Sequence, residues 1–294
     1  MIPTESAAGR YLGLESWTTP DMVDALLESQ MTATAAAFGA RDALALAVDQ
    51  AAERLLNGGR LLYLGAGTSG RLAALDAAEL APTFGWPTDR AIALMAGGPN
   101  AFIHAAEGAE DDGPAAIAAL DSVHMTAADV VIGLAASGRT PYVVAGLTHA
   151  RAQGALAVAI GNNPTGAITQ AADIALTAAT GAEVLAGSTR MKAGTAQKAL
   201  LNCLSTGVFI KMGYVYRGRM VEMRPTNQKL HIRAVQMVAE LADAAPAQAE
   251  AALAQADGSI KLAVVMLLRN LPLDAAKQVL ADANGRLNRA LTGT

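Results

Sequence analysis

Apolar residues recur at three- and four-residue steps over residues 20–58, where Met22, Ala25 and Leu26, then Leu44, Ala45 and Val48, share a helical face. Beyond Asn57-Gly58-Gly59 the pattern changes to short, wholly apolar runs at 61–64, 91–95, 130–134, 156–160 and 174–177, alternating with helix-forming stretches. Strands that are apolar along their whole length need cover on both faces, so this alternation predicts a parallel sheet between layers of helices. Ligands of such sheets bind at the carboxyl ends of the strands, where the following loops converge. Residues 189–216 read as one long apolar helix, and 217–229 as an irregular segment rich in Arg, Met and Asn. The clearest boundary is Ala244-Ala245-Pro246. After it, turns at Asp257-Gly258-Ser259 and Asn270-Leu271-Pro272 separate three helical stretches, a unit small enough to need docking for stability. The expected organisation is N-terminal helices over 1–58, an α/β domain over 59–243 and a three-helix domain over 244–294.

With 294 residues, 52% of them hydrophobic, the chain can bury a sizeable core. A net charge of −4 with scattered Lys and Arg leaves no basic stripe to track a phosphodiester backbone, so no nucleic-acid partner is expected. Met1-Ile2-Pro3-Thr4-Glu5-Ser6 has no basic segment before an apolar run, and no stretch reaches about 18 uninterrupted apolar residues; the expectation is a cytoplasmic protein without a membrane partner. The single cysteine, Cys203, rules out an internal disulfide and, within Leu200-Leu201-Asn202-Cys203-Leu204, reads as a small apolar core position. Four histidines stand far apart; the nearest to a ligand pair is His104 with Glu107, which is no recognised metal spacing, and no metal is expected.

Gly65-Ala66-Gly67-Thr68-Ser69-Gly70 follows an expected strand and opens a helix, which satisfies the dinucleotide pattern G-x-G-x-x-G. A dinucleotide site also requires a carboxylate at the end of the next strand to hold the ribose, and that strand ends Met95-Ala96-Gly97-Gly98. A second loop, Ala135-Ala136-Ser137-Gly138-Arg139-Thr140, repeats the Ser-Gly-Arg of the first. Two helix starts bearing hydroxyls and unpaired amides suit a phosphomonoester, because helix N-termini attract anions without needing a lysine. Thr68, Ser69, Ser137 and Thr140 are the expected phosphate ligands; Arg71 and Arg139 either assist or pair at the surface. Each loop alone is equally well a helix cap and tight turn, and the matched pair is what favours a ligand.

Two carboxylates offer proton chemistry. Glu79 lies among apolar neighbours in Leu75-Asp76-Ala77-Ala78-Glu79-Leu80-Ala81-Pro82, where burial would raise its pKa and make it a proton donor. Glu110 lies in Glu107-Gly108-Ala109-Glu110-Asp111-Asp112, where crowded like charges would prepare a general base, although such a run is also ordinary solvated surface. Glu79 follows Ser69 by ten residues, about 15 Å along an unbroken helix and longer than one sugar ring. Either the helix bends before Pro82, or Glu79 serves a phosphate held by a second subunit; the second option predicts a homodimer with a shared active site.

These motifs, with Ala135-Ala136-Ser137-Gly138-Arg139-Thr140-Pro141-Tyr142 and Glu183-Val184-Leu185-Ala186-Gly187-Ser188-Thr189-Arg190-Met191-Lys192-Ala193-Gly194-Thr195, occur in the order found in the N-acetylmuramic acid 6-phosphate etherases, which the sequence resembles over nearly its whole length. The resemblance implies a three-layer α/β/α sugar isomerase (SIS) domain and a sugar-phosphate substrate in cell-wall recycling. It implies ring opening to the aldehyde, removal of the adjacent proton, loss of D-lactate from C3 and addition of water, with no metal or redox cofactor. On the same resemblance Glu79 is the acid that helps lactate leave and Glu110 the second catalytic residue and base. Glu183, Ser188, Thr189, Lys192 and Thr195 complete the sugar and lactyl site, with Lys192 or Arg190 facing the lactyl carboxylate. A sugar-phosphate sensor similar to the glucokinase regulatory protein would keep the phosphate loops but have no use for both glutamates. An aldose–ketose isomerase of the same fold would share the phosphate site. One departure is visible: Thr4-Glu5 is followed by Ser6-Ala7-Ala8, where the family often carries Gln-Arg-Asn.

Overall fold

The computed structural model describes residues 3–104, 106–225 and 227–292. The first helical region is two helices, α1 (Thr19–Phe38) and α2 (Arg41–Leu56), broken at Gly39-Ala40. The Thr18 hydroxyl accepts the Asp21 amide and Pro20 occupies the first turn, which fixes where α1 begins. There follow β1 (Leu61–Gly65), α3 (Gly67–Phe84), β2 (Ala91–Met95), α4 (Gly113–Ser122), β3 (Val130–Ala135), α5 (Pro141–Ala152), β4 (Leu156–Gly161), α6 (Ile168–Ala171) and β5 (Ile174–Thr177). All five strands are parallel, in the order β2-β1-β3-β4-β5. Helices α4, α5 and α6 cover the face that bears Leu62, Leu64 and Val131. On the other face lie α2, and α3 through the Tyr63–Asp76 hydrogen bond. The remainder is α7 (Lys192–Met212), a hairpin of β6 (Val215–Tyr216) and β7 (Arg219–Met220), and α8 (Gln228–Ala242), α9 (Pro246–Gln255), α10 (Ile260–Arg269), α11 (Leu273–Asp282) and α12 (Leu287–Thr292).

The chain divides into two compact units across the expected boundaries: Met1–Ala78 with Thr88–Val208, and Glu79–Pro87 with Phe209–Thr294. The second unit begins well before residue 244, because α8 buries Ala234, Met237, Val238 and Leu241 in the same apolar cluster as α9 to α12. Among the described residues it has five helices after the hairpin, four of them, α9 to α12, in the span 244–294 where three were expected. Residues 79–87 belong to it through their aromatic rings: Phe84 stacks on Phe209 at 4.4 Å between centroids, and Trp86 meets Phe209 edge-on at 5.1 Å. Lys261, buried in α10, is satisfied by Glu222 at 2.5 Å and the Gly285 carbonyl at 2.6 Å. Cys203 is exposed, contrary to the core position expected of it. Leu200, Leu201, Leu204 and Val208 define the inward face of α7, and Cys203 falls outside that arc. Among the described residues no single helix is long and apolar enough to cross a membrane.

At the amino ends of β1 and β3, Asp129 accepts the Arg60 amide at 2.9 Å, its Nη2 at 2.8 Å and the Thr126 amide at 2.8 Å. Burial works against the Asp129 charge, but the Arg60 guanidinium and these amides outweigh it and hold the carboxyl below its ordinary value. With an unfolded pKa of about 3.9, the pair stabilises fully above that value and loses its contribution as pH falls through the lower folded pKa. The Tm is expected to fall as pH drops below about 4, and less steeply in Asp129→Asn; parallel curves would exclude the pair as an acid-sensitive contact.

Candidate active site

β1 and β3 are neighbours in register, Gly65 opposite Leu134, so the turns that leave them open side by side. The first turn is tight because residue 70 is glycine: a Cβ there would lie 2.8 Å from the Gly65 carbonyl oxygen. The second passes through Gly138 at φ 71°, with the Arg139 amide donating to Ser137 Oγ at 3.2 Å and Asn163 Nδ2 holding the Ser137 carbonyl at 3.2 Å. Thr68, Ser69, Ser137 and Thr140 all line one cavity of about 280 Å³, together with Thr189 and Glu110. Glu110 stands in a 3-10 turn, Ala109–Asp111, and also borders a second cavity of about 330 Å³ that shares Ala66 and Gly67 with the first. The expected phosphate ligands, Thr189 and one of the two expected catalytic carboxylates are thus brought together.

The other expected residues are placed differently. Glu183 is fully buried and its carboxylate accepts the amides of Lys192 at 3.2 Å and Ala193 at 2.8 Å. It caps the start of α7, where the helix dipole favours a negative charge. Lys192 is itself buried there, and Thr195 donates from Oγ1 to Gln30 Oε1 on α1 at 2.6 Å. Ser188 belongs to the preceding turn, its carbonyl accepting the Met191 amide at 3.1 Å. None of these four lines either cavity. Glu79 is exposed rather than buried: Leu80 turns inward while Leu75, Ala78 and Glu79 face out.

Three further residues shape the site. Asp76, 3% exposed, accepts Tyr63 Oη at 3.0 Å, Asn202 Nδ2 at 2.7 Å and Ser205 Oγ at 3.0 Å, and so ties β1, α3 and α7 together. Burial, and then the Asp76 charge, push the Tyr63 phenol well above its usual value, so it remains a neutral donor. Its sequence signal was a carboxylate within the otherwise apolar helix Leu75-Asp76-Ala77-Ala78. Gln197 accepts the Ser69 hydroxyl at 2.8 Å, a link with no signal in the sequence. Glu5 lines the first cavity, and the Thr4 carbonyl accepts the Gly187 amide at 3.2 Å, so the tail reaches the site despite its departure at Ser6-Ala7-Ala8. No three His, Cys, Asp or Glu side chains gather as a metal site among the described residues.

Residues 43–151 match the glucokinase regulatory protein N-terminal SIS domain, and 112–206 match the SIS domain, which identifies the sheet and its helices as an SIS fold. The chain is 45% identical to the N-acetylmuramic acid 6-phosphate etherase of Mycolicibacterium smegmatis, over 99% of this chain and 97% of the relative. It is 47% identical to that of Pectobacterium atrosepticum, over 99% and 96% of the two chains. Among solved structures, a phosphoheptose isomerase from Francisella tularensis aligns with a TM-score of 0.49 and 18% identity, covering 65% of this chain and 98% of the other.

Removing the Asp76 carboxylate leaves its buried donors unpaired, so Asp76→Ala should cost on the order of 3 kcal/mol, which lowers Tm by roughly 5 °C in a protein of this size. A drop of less than about 2 °C in a thermal melt would show that β1, α3 and α7 hold together without it.

Proposed function

We infer the reaction from the family to which this chain belongs, the N-acetylmuramic acid 6-phosphate etherases: the enzyme cleaves the D-lactyl ether of N-acetylmuramic acid 6-phosphate to give N-acetylglucosamine 6-phosphate and D-lactate. The observation that carries the site assignment is a cavity walled by both strand-to-helix turns and by Glu110. The phosphate is held by the helix-start amides and by the hydroxyls of Thr68, Ser69, Ser137 and Thr140. Turning over the Gln197 amide lets its Nε2 donate to Ser69 Oγ, which frees the Ser69 proton for the phosphate. Thr189 contacts the sugar, while Glu183, Lys192, Ser188 and Thr195 set the position of α7 and the turn before it.

Opening of the sugar places an aldehyde at C1, which acidifies the C2 hydrogen. Glu110 removes that proton, the electron pair forms the C2–C3 double bond, and the C3–O bond breaks as the departing lactate oxygen takes a proton from Glu79. Water then adds its oxygen to C3 and a proton returns to C2. The aldehyde supplies the acidity that the elimination needs, and the scheme uses no metal or redox cofactor.

Glu79 reaches this chemistry from a second subunit, in a homodimer with shared active sites. Two features support that reading: Glu79 is exposed on a helix that continues unbroken to Phe84, and α1 carries an outward apolar stripe of Val23, Leu27, Met31 and Phe38, 40 to 74% exposed. A negatively charged sugar phosphate does not cross a membrane unaided, which supports a cytoplasmic enzyme.

In oxygen-18 water, D-lactate should be released unlabelled while the sugar product takes up one labelled oxygen at C3; label in lactate would contradict cleavage of the C3–O bond. Glu110→Gln should lower kcat by about 10²–10⁴-fold with inhibition by N-acetylglucosamine 6-phosphate retained, and an unchanged kcat would remove Glu110 from the chemistry. Mixing Glu79→Ala with a Ser69→Ala/Ser137→Ala protein should restore up to about a quarter of native activity by statistical subunit exchange. Persistent inactivity of the exchanged mixture would mean that Glu79 does not act across subunits.

A further inference from the structure

The second cavity, about 330 Å³, lies beyond Glu110 and is walled mainly by Ala66, Met95, Ala96, Ala101 and Ala106. One cation stands in this wall, Arg71, which is half-buried in α3 just after the first turn. Its Nε donates to the Phe102 carbonyl at 3.0 Å and its Nη2 to the Ala101 carbonyl at 3.0 Å. Nη1 makes no hydrogen bond, and no carboxylate pairs with the guanidinium, among the described residues. A guanidinium fixed in this way has one edge spent on carbonyls and the other still able to donate in its fork geometry. In a largely apolar wall such a charge favours an anionic partner, and Glu107 and Glu110 on the same wall would repel an anion that lacked it. Ala66, Gly67 and Glu110 border both cavities, so a ligand anchored by phosphate in the first and reacting at Glu110 continues into the second.

We propose that this second cavity is the subsite for the leaving group, with Arg71 pairing the lactyl carboxylate and Met95 and the alanines receiving the lactyl methyl. The assignment rests on the etherase reading above. It replaces Lys192 and Arg190 in that role, since neither lines the cavity. Arg71 thereby distinguishes substrate from product: N-acetylglucosamine 6-phosphate has the same phosphate and no lactyl carboxylate.

The test compares N-acetylmuramic acid 6-phosphate with its lactyl amide, a neutral isostere, in the native enzyme, Arg71→Gln and Arg71→Lys, and measures the Ki of N-acetylglucosamine 6-phosphate in each. The native enzyme should prefer the carboxylate by about 10- to 100-fold in kcat/KM. Arg71→Gln should lose that preference, Arg71→Lys should retain part of it, and the Ki of the product should change by less than about threefold. Equal turnover of carboxylate and amide by the native enzyme would overturn the proposal without any variant. A preference that survives in Arg71→Gln would place the carboxylate elsewhere, and a product Ki weakened in step with substrate would reduce Arg71 to a brace for the loop at Ala101 and Phe102. If the native enzyme released lactate from neither compound, the etherase reading itself would fail and the subsite with it.

Discussion

The parallel pairing of β1 with β3 is the constraint on which the site depends. It sets Gly65 beside Leu134 and so puts two turns, distant in sequence, on one wall. Both strands are buried along their whole length. The pair is also held from its far end, because Arg60 and Asp129 immediately precede the two strands and bind each other there. An ion pair at the amino ends and the cavity at the carboxyl ends therefore act on the same two strands. The glycine at 70 lets α3 start close against β1, and the glycine at 138 lets the second turn take its positive φ and pass close to Gly166.

Helix α7 supplies the second layer of support. Glu183 caps its start, Gln197 reaches Ser69, Thr195 reaches α1, and Asn202 and Ser205 meet Asp76. Several polar residues of the long motif from Glu183 to Thr195 are thus engaged with protein rather than with cavity space. Such contacts fix where the first strand-to-helix turn sits.

The five strands were legible because buried parallel strands are wholly apolar, and each falls within a residue of its apolar run. Their order was not legible, since no local pattern records which strand lies beside which. The C-terminal boundary was misplaced for a related reason: Ala244-Ala245-Pro246 has the composition of a linker, but it is a turn between α8 and α9, whose apolar faces join one cluster. That Thr68, Ser69, Ser137 and Thr140 stand at strand-to-helix turns lining a cavity was legible from residue type. Glu183 was assigned to the substrate because a carboxylate in a conspicuous motif has the same chemistry whether it meets a ligand or caps a helix. Glu79 looked buried from its neighbours in sequence, but in a helix the adjacent residues point elsewhere, and Leu80 faces in where Glu79 faces out. Gln197 was silent because its partner lies on a helix far along the chain.

In the proposed mechanism the two turns form one phosphate site with the reacting carbons at Glu110. The most direct measurement is a crystal structure with N-acetylglucosamine 6-phosphate bound. The phosphate should lie between the Thr68-Ser69 and Ser137-Gly138 amides, with C2 and C3 of the sugar against the Glu110 carboxylate. A phosphate bound away from these turns, or a sugar running away from Glu110, would contradict it.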